Sequence, residues 1–214
     1  MLPNRKPIFA LLLTAVLALL APASNALDFG AGPIGGVNLG NAEVDDHDET
    51  DARTGVAAGA RAEFGVTAPF SLLVEAMYVQ KGARFDVSAG PFGDIHAEGD
   101  LDYLEIPVLA KAKFGSGDAH AYVFAGPSMD INLKTEGTFG SFSDTFKDES
   151  AALVFSGQAG AGAAFKVAPF VYLTGDARYV MSFSDALDKP VGDIDEWKSR
   201  DIRFLAGVLI HLTK

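Results

Sequence analysis

The sequence predicts an all-β protein, an eight-stranded antiparallel up-and-down transmembrane β-barrel preceded by a cleaved signal peptide. Three observations support this prediction: an apolar run near the N-terminus, alternation of apolar and polar residues with period two, and connections that are alternately short and long. A sheet that crosses lipid must close on itself, because lipid offers no partner to an unpaired backbone N–H or C=O group.

Residues 1–26 have the layout of a secretory signal peptide. A basic start precedes an uncharged apolar run over residues 8–20, and small residues then lead to a cleavage site after Ala26. The alternative is an uncleaved anchor helix, but the run is shorter than the roughly 20 residues that a helical span needs. We therefore expect one further domain, the barrel, over residues 27–214.

The barrel strands are predicted from the period-two alternation. Between residues 56 and 66, one parity is apolar throughout, whereas the other is small or charged. Segments of this kind occupy residues 28–40, 54–66, 70–83, 101–114, 120–133, 151–166, 170–183 and 201–213. Tight connections follow the second, fourth and sixth segments, and the predicted long loops are 41–53, 84–100, 134–150 and 184–200.

The side of the sheet that faces the barrel interior is predicted from the charges. A soluble barrel such as a lipocalin would place its apolar residues inside. Here every strand has a continuous apolar face, which lipid outside a narrow eight-stranded barrel explains. The charged parity is therefore expected to line the lumen as a polar network of Arg61, Glu63, Glu75, Lys81, Glu105, Lys111, Lys113, Asp130, Asp176, Arg178 and Arg203.

Composition excludes several other functions. The chain has a formal net charge of −11, which argues against nucleic-acid binding because phosphate recognition needs clustered lysines and arginines. It has no cysteine, which excludes disulfides, thiolate nucleophiles and cysteine-ligated zinc. The sequence contains no P-loop or dinucleotide fingerprint. We therefore expect no catalytic residue, no cofactor and no metal site in the strands.

Four segments carry a family resemblance. The sequences EAMYVQKG at 75–82, YLEIP at 103–107, FAGPS at 124–128 and DARY at 176–179 resemble the PorT-type and OmpA-like eight-stranded outer-membrane β-barrel proteins of diderm bacteria. The resemblance implies an integral outer-membrane location, contact with lipid and lipopolysaccharide, insertion by the barrel assembly machinery, and no enzymatic activity.

The C-terminus departs from the pattern of that family. Such barrels commonly finish on an aromatic residue, whereas this sequence finishes Ile-His-Leu-Thr-Lys over residues 210–214. Recognition by the assembly machinery is therefore expected to be weaker or to use Leu212. No peptidoglycan-binding domain follows the strands in this sequence, so a wall-tethering role has no support.

Three function classes remain open from the sequence. The first is a structural barrel, or one whose loops bind a partner, with its lumen closed by the polar network. The second is a small pore, in which a wet pathway follows inward-facing glycines. The third is an envelope enzyme that uses the loop histidines His47 and His96. The glycines that would line the wet pathway of the pore are Gly59, Gly65, Gly160, Gly162 and Gly207. The sequence identifies no ligand or protein partner for the loops.

Two further expectations concern individual charges. Glu75 and Lys111 lie at similar heights above the short turns on adjacent strands, so we expect them to be cross-strand partners. The first long loop is strongly acidic, and hard divalent cations could bridge its carboxylates to lipopolysaccharide, although a solvated loop without bound cations is the alternative. The carboxylates of this loop are Glu43, Asp45, Asp46, Asp48, Glu49 and Asp51.

Overall fold

The protein is described here from a computed structural model, which describes residues 28–44, 51–88, 94–115, 117–139, 142–145, 153–183 and 197–212. The signal peptide predicted for residues 1–26 lies outside the described residues. The strands are β1 (Phe29–Val44), β2 (Asp51–Thr67), β3 (Phe70–Ser88), β4 (Asp94–Phe114), β5 (Ala119–Phe139), β6 (Phe142–Thr145), β7 (Leu153–Ala168), β8 (Val171–Ser182) and β9 (Trp197–His211). Among the described residues, no helix is long and apolar enough to cross a membrane.

The strands form one closed antiparallel sheet. Its order is β4-β3-β2-β1-β9-β8-β7-β5, and β4 also pairs with β5, which closes the ring. The short strand β6 pairs with the C-terminal end of β5 and is not one of the eight strands of the ring. The predicted fold class, an eight-stranded up-and-down barrel, is therefore confirmed.

The alternation of the sequence places apolar side chains outside the ring and polar side chains inside it. On β8, Leu173 and Tyr179 are exposed on the outer surface, whereas Asp176 and Arg178 are buried. Exposed phenylalanines stand beside the short turns at one end of the barrel, where an interfacial girdle is expected. They are Phe70, Phe114, Phe165 and Phe170.

The predicted loop boundaries are wrong, because the strands run further than the alternation indicated. The β3–β4 pairing continues to Ser88 opposite Asp94, so most of the loop predicted at 84–100 is a strand hairpin. The predicted loop at 134–150 contains the end of β5 and all of β6. On the N-terminal side of Leu104, charged residues occupy the parity that is apolar in the rest of β4. This inversion made the N-terminal part of the strand resemble a loop.

The barrel wall is uneven in height. Strands β4 and β5 have 21 residues each, whereas β8 has 12. A tilted transmembrane strand needs about 9–11 residues to cross the hydrocarbon core. The upper ends of β4 and β5, at the side opposite the short turns, therefore extend well beyond the bilayer.

We expect the short turns to face the periplasm and the opposite end to face the cell exterior. Because the chain has no cysteine, single cysteine variants label without background. In intact cells, a membrane-impermeant maleimide should label Asp48→Cys, in the first predicted long loop, and should spare Asp118→Cys, beside a short turn. Both variants should react once the outer membrane is permeabilised. Labelling of Asp118→Cys in intact cells would contradict this orientation.

Candidate functional site: the lumen of the barrel

Inside the barrel, the structure brings together the charged residues that the alternation assigned to the lumen. Ten of the eleven are buried. The eleventh, Lys113, lies at the end of the barrel that carries the short turns, and its side chain is 25% exposed. Asp201, four residues after the start of β9, is also buried in the lumen, near Lys81. With Asp201 included, the described lumen holds six cationic and six carboxylate side chains, so its formal charge balances.

The basal layer, defined as Glu63, Ser71, Lys111 and Lys113, lies closest to the short turns. The Glu63 carboxylate accepts hydrogen bonds from Lys111 Nζ at 2.8 Å and from Ser71 Oγ at 2.9 Å. Lys113 Nζ lies 2.6 Å from Glu63 Oε1, and Lys111 Nζ also stands 4.0 Å from the centre of the Tyr122 ring. One carboxylate thus neutralises part of the charge of two lysines at this end.

The middle layer, defined as Arg61, Glu75, Asp176 and Arg178, joins β2, β3 and β8 across the bore. Arg61 donates from Nε to Glu75 Oε1 at 2.7 Å and from Nη2 to both carboxylate oxygens of Asp176. Arg178 donates to Glu75 Oε2 at 2.8 Å and to Asp176 Oδ2 at 3.1 Å. Two arginines and two carboxylates therefore form a closed, charge-balanced ring.

The upper layer, defined as Lys81, Glu105, Asp130, Asp201 and Arg203, lies on the side of the long strand ends. Arg203 binds Glu105 with both terminal nitrogens, at 2.8 and 3.1 Å. Lys81 Nζ lies 2.8 Å from Glu105, 3.3 Å from Asp130 and 3.5 Å from Asp201. The bidentate pair is the strong geometry for an arginine and a carboxylate.

Neutral polar side chains complete the network. Ser128 and Ser156 donate to Asp130 at 2.6 and 2.9 Å. Gln158 accepts from Arg178 at 3.2 Å and donates to Glu105 at 3.1 Å, so it joins the middle layer to the upper layer. Asn38 Oδ1 accepts from Arg203 Nε at 3.0 Å. Sequence reasoning missed these residues because it selected only charged ones, although Asn38 and Gln158 also fall on inward parities.

The predicted contact between Glu75 and Lys111 is wrong. The β3–β4 register sets Lys111 opposite Ser71, four positions along β3 from Glu75. Lys111 instead binds Glu63, while Glu75 accepts from Arg61 and Arg178. Alternation identifies the face on which a side chain lies, but the partner depends on a register and a strand tilt that the sequence does not show.

Two of the glycines considered for a wet pathway are covered by aromatic rings. A Cβ atom added to Gly160 would lie 2.7 Å from Phe124 Cζ, and one added to Gly162 would lie 2.6 Å from Tyr122 Cζ. The Phe124 ring is in turn covered by Arg178, whose Cζ stands 5.0 Å from the ring centre. The space that these glycines leave is filled by large side chains of β5.

The remaining predicted residues fall at the edges of the described structure. In the acidic first loop, Glu43 lies on β1 and Asp51 begins β2, while Asp45, Asp46, Asp48 and Glu49 lie outside the described residues. His47 also lies outside them, whereas His96 is on β4 and not in the loop predicted for it. Within the described ranges, no group of three histidine, aspartate or glutamate side chains is arranged to hold a metal ion.

A closed ring of strands that is apolar outside and ion-paired inside is an integral membrane β-barrel. A family model described as the outer membrane protein beta-barrel domain matches residues 21–188. The chain therefore belongs to this family and is an integral protein of the bacterial outer membrane. No curated protein matches the chain.

Solved outer-membrane barrels share the fold. Neisserial surface protein A (NspA) is 15% identical with a TM-score of 0.51, and the match covers 85% of this chain and 96% of NspA. OprG of Pseudomonas aeruginosa is 10% identical with a TM-score of 0.51, and the match covers 88% of this chain and 97% of OprG. At these identities the similarity shows the fold alone.

We expect Glu75→Gln to lower the stability of the barrel. The substitution keeps the shape of the side chain but leaves Arg61 and Arg178 with Asp176 as their remaining shared carboxylate. Removing one partner from a buried ion pair costs about 3–5 kcal/mol. Equilibrium urea unfolding in lipid vesicles measures the change.

The matched control is Lys166→Gln. Lys166 and Asp118 form an ion pair of 3.8 Å in which the side chains are 40% and 84% exposed. Such a pair contributes about 0–1 kcal/mol, so this variant should unfold close to the wild type. Equal losses in both variants would show that the middle layer does not stabilise the barrel.

Proposed function

We propose that the protein is a small outer-membrane barrel with a structural or loop-mediated interaction role, and that its lumen is closed by the three ion-paired layers. The observation that carries the proposal is the set of buried, mutually bonded charges at three successive heights of one narrow bore. Within the family, we propose a PorT-type or OmpA-like member, on the basis of the four segments that resemble those proteins.

The charge balance supports a closed lumen. Pores that select ions by charge present rings of side chains of one sign to the passing ion. In this lumen, a buried cation left without its carboxylate would incur a large desolvation cost, so the stable arrangement is the paired one. The interior of an eight-stranded barrel is just wide enough for side chains to fill. The paired charges therefore act as a plug.

The tall outer wall supports a role at the cell surface. The pairing of β4 with β5 continues to Ala97 opposite Phe139, at the end of the barrel where the strands lead into the predicted long loops. Specific binding commonly resides in loops that a rigid scaffold holds. We propose that the partner is a surface ligand or protein bound by the loops, that lipopolysaccharide and the barrel assembly machinery are further partners, and that the protein has no enzymatic activity.

The purified wild-type protein should show no large steady conductance in planar lipid bilayers. Glu75→Ala removes the carboxylate that binds Arg61 and Arg178, and Glu105→Ala removes the one that binds Arg203 and Lys81. The double variant should therefore show conductance bursts. Lys166→Gln again serves as the control and should remain closed. Large steady conductance of the wild type would favour the pore over the plug.

Loop-mediated binding should depend on the loops and not on the plug. In whole cells, proximity labelling of envelope components by the wild type should identify partners that are lost when residues 45–50 and 184–196 are replaced by short Gly-Ser linkers. Glu75→Gln, which leaves the loops intact, should keep them. Identical labelling by the wild type and the loop-replaced protein would contradict a loop-mediated role.

A further inference from the structure

Strand β4 has an interrupted hydrogen-bond ladder in the middle of the membrane span. Toward β3, the pairs stop at Val74 opposite Val108 and resume at Met77 opposite Glu105, so the stretch around Pro107 is unpaired on that side. Toward β5, the pairs stop at Pro107 opposite Ser128 and resume at Ala110 opposite Ala125. Over the four residues 106–109, β4 is therefore paired from one side at a time.

Two prolines account for the interruptions. Pro107 of β4 and Pro127 of β5 have no N–H group, so neither can donate a ladder hydrogen bond. The Val108 carbonyl oxygen is directed at the backbone of Gly126, where an added Cβ atom would lie 2.1 Å from it. In lipid no water replaces the missing bonds, so these residues form a weak point of the wall.

The neighbouring strands remain paired at this height. Opposite the gap, β3 keeps its pairs with β2, including Glu75 opposite Arg61, and β5 keeps its pairs with β7, including Pro127 opposite Gly157. Among β2, β3, β4, β5 and β7, the interruption at this height is therefore limited to the two pairings of β4.

The ion-paired layers are arranged around this weak point. Below it, β4 supplies Lys111 and Lys113 to the basal layer, and above it, β4 supplies Glu105 to the upper layer. The middle layer, at the height of the gap, consists of residues from β2, β3 and β8. Strand β4 is thus anchored by ion pairs at both ends of a segment in which each residue is paired with only one neighbouring strand.

We propose that residues 106–109 are a hinge, and that β4 is the moving strand of the plug. Movement of the upper part of β4 carries Glu105 away from Lys81, Arg203 and Gln158, which opens the upper layer while the middle ring stays intact. The upper part of β4 continues beyond the bilayer to Asp94, where it pairs with Ser88 of β3. A load on this β3–β4 hairpin therefore reaches the plug through β4. The inference rests on the proposed closure of the lumen.

Amide hydrogen exchange tests the hinge directly. In the wild-type protein in lipid nanodiscs, the amides of Ile106, Val108 and Leu109 should exchange about 2- to 12-fold faster than those of residues 110–114. This range is expected where local opening breaks one backbone hydrogen bond fewer. Equal protection of the two stretches would overturn the hinge. This readout is independent of conductance, so it distinguishes failure of the hinge from failure of the closed plug.

Replacing the prolines tests the cause. Pro107→Val with Pro127→Val restores both N–H donors and should slow exchange at 106–109 to the rate of the neighbouring residues. Pro33→Val is the matched control, because Pro33 lies in a similar gap between β1 and β9 and its replacement should leave β4 unchanged. An effect of Pro33→Val on β4 equal to that of the double variant would contradict a local hinge.

The link to the plug is tested through Gln158. The variant Gln158→Leu removes the bonds from Arg178 and to Glu105, and it should produce conductance bursts in bilayers that the wild type does not show. Adding Pro107→Val and Pro127→Val should suppress those bursts at least tenfold, because β4 then has a complete ladder. Bursts of undiminished frequency in the triple variant would show that β4 is not the moving strand.

Discussion

Every feature of this barrel depends on one constraint, the absence of hydrogen-bonding partners for the backbone in lipid. The sheet must close, because an edge strand would leave a row of N–H and C=O groups unpaired. Closure with eight strands encloses a bore that side chains fill. Since the outer face is given to lipid, the inner face receives the polar residues, and in so small a volume those residues are stable only as mutual partners.

Mutual pairing explains why the lumen residues come from distant parts of the chain. Arg61 and Asp176 are separated by 115 residues, and Glu105 and Arg203 by 98, yet each pair meets across the bore. Each such contact joins strands that are not neighbours in the ring, so the layers act as cross-braces. The ladder holds adjacent strands together, and the ion pairs hold the cross-section.

The sequence predicts the face of a residue better than its partner. Alternation placed Glu75 and Lys111 correctly in the lumen, but a side chain there reaches several strands, and the register set Lys111 beside Glu63. Asp201 shares the parity of Arg203 and stood at the edge of a predicted strand, where alternation is weakest. The strand ends were missed for a related reason: above Leu104 the outer face meets water, so the polarity that marks a membrane strand is reversed.

The prolines of β4 and β5 show that side-chain ion pairs hold a strand where its backbone hydrogen bonds are missing. A proline within a transmembrane strand forfeits a ladder bond that lipid cannot replace. In β4, the forfeited bonds fall between Lys111 and Glu105, so ion pairs anchor the strand immediately below and above the gap. The strand therefore keeps its place through its side chains where its backbone is weakest. A strand held in this way depends on individual side-chain hydrogen bonds, such as the one that Gln158 donates to Glu105. These bonds break more readily than a continuous ladder. Strand β4, whose ladder is interrupted on both sides, is thus also the strand that joins the β3–β4 hairpin to the plug.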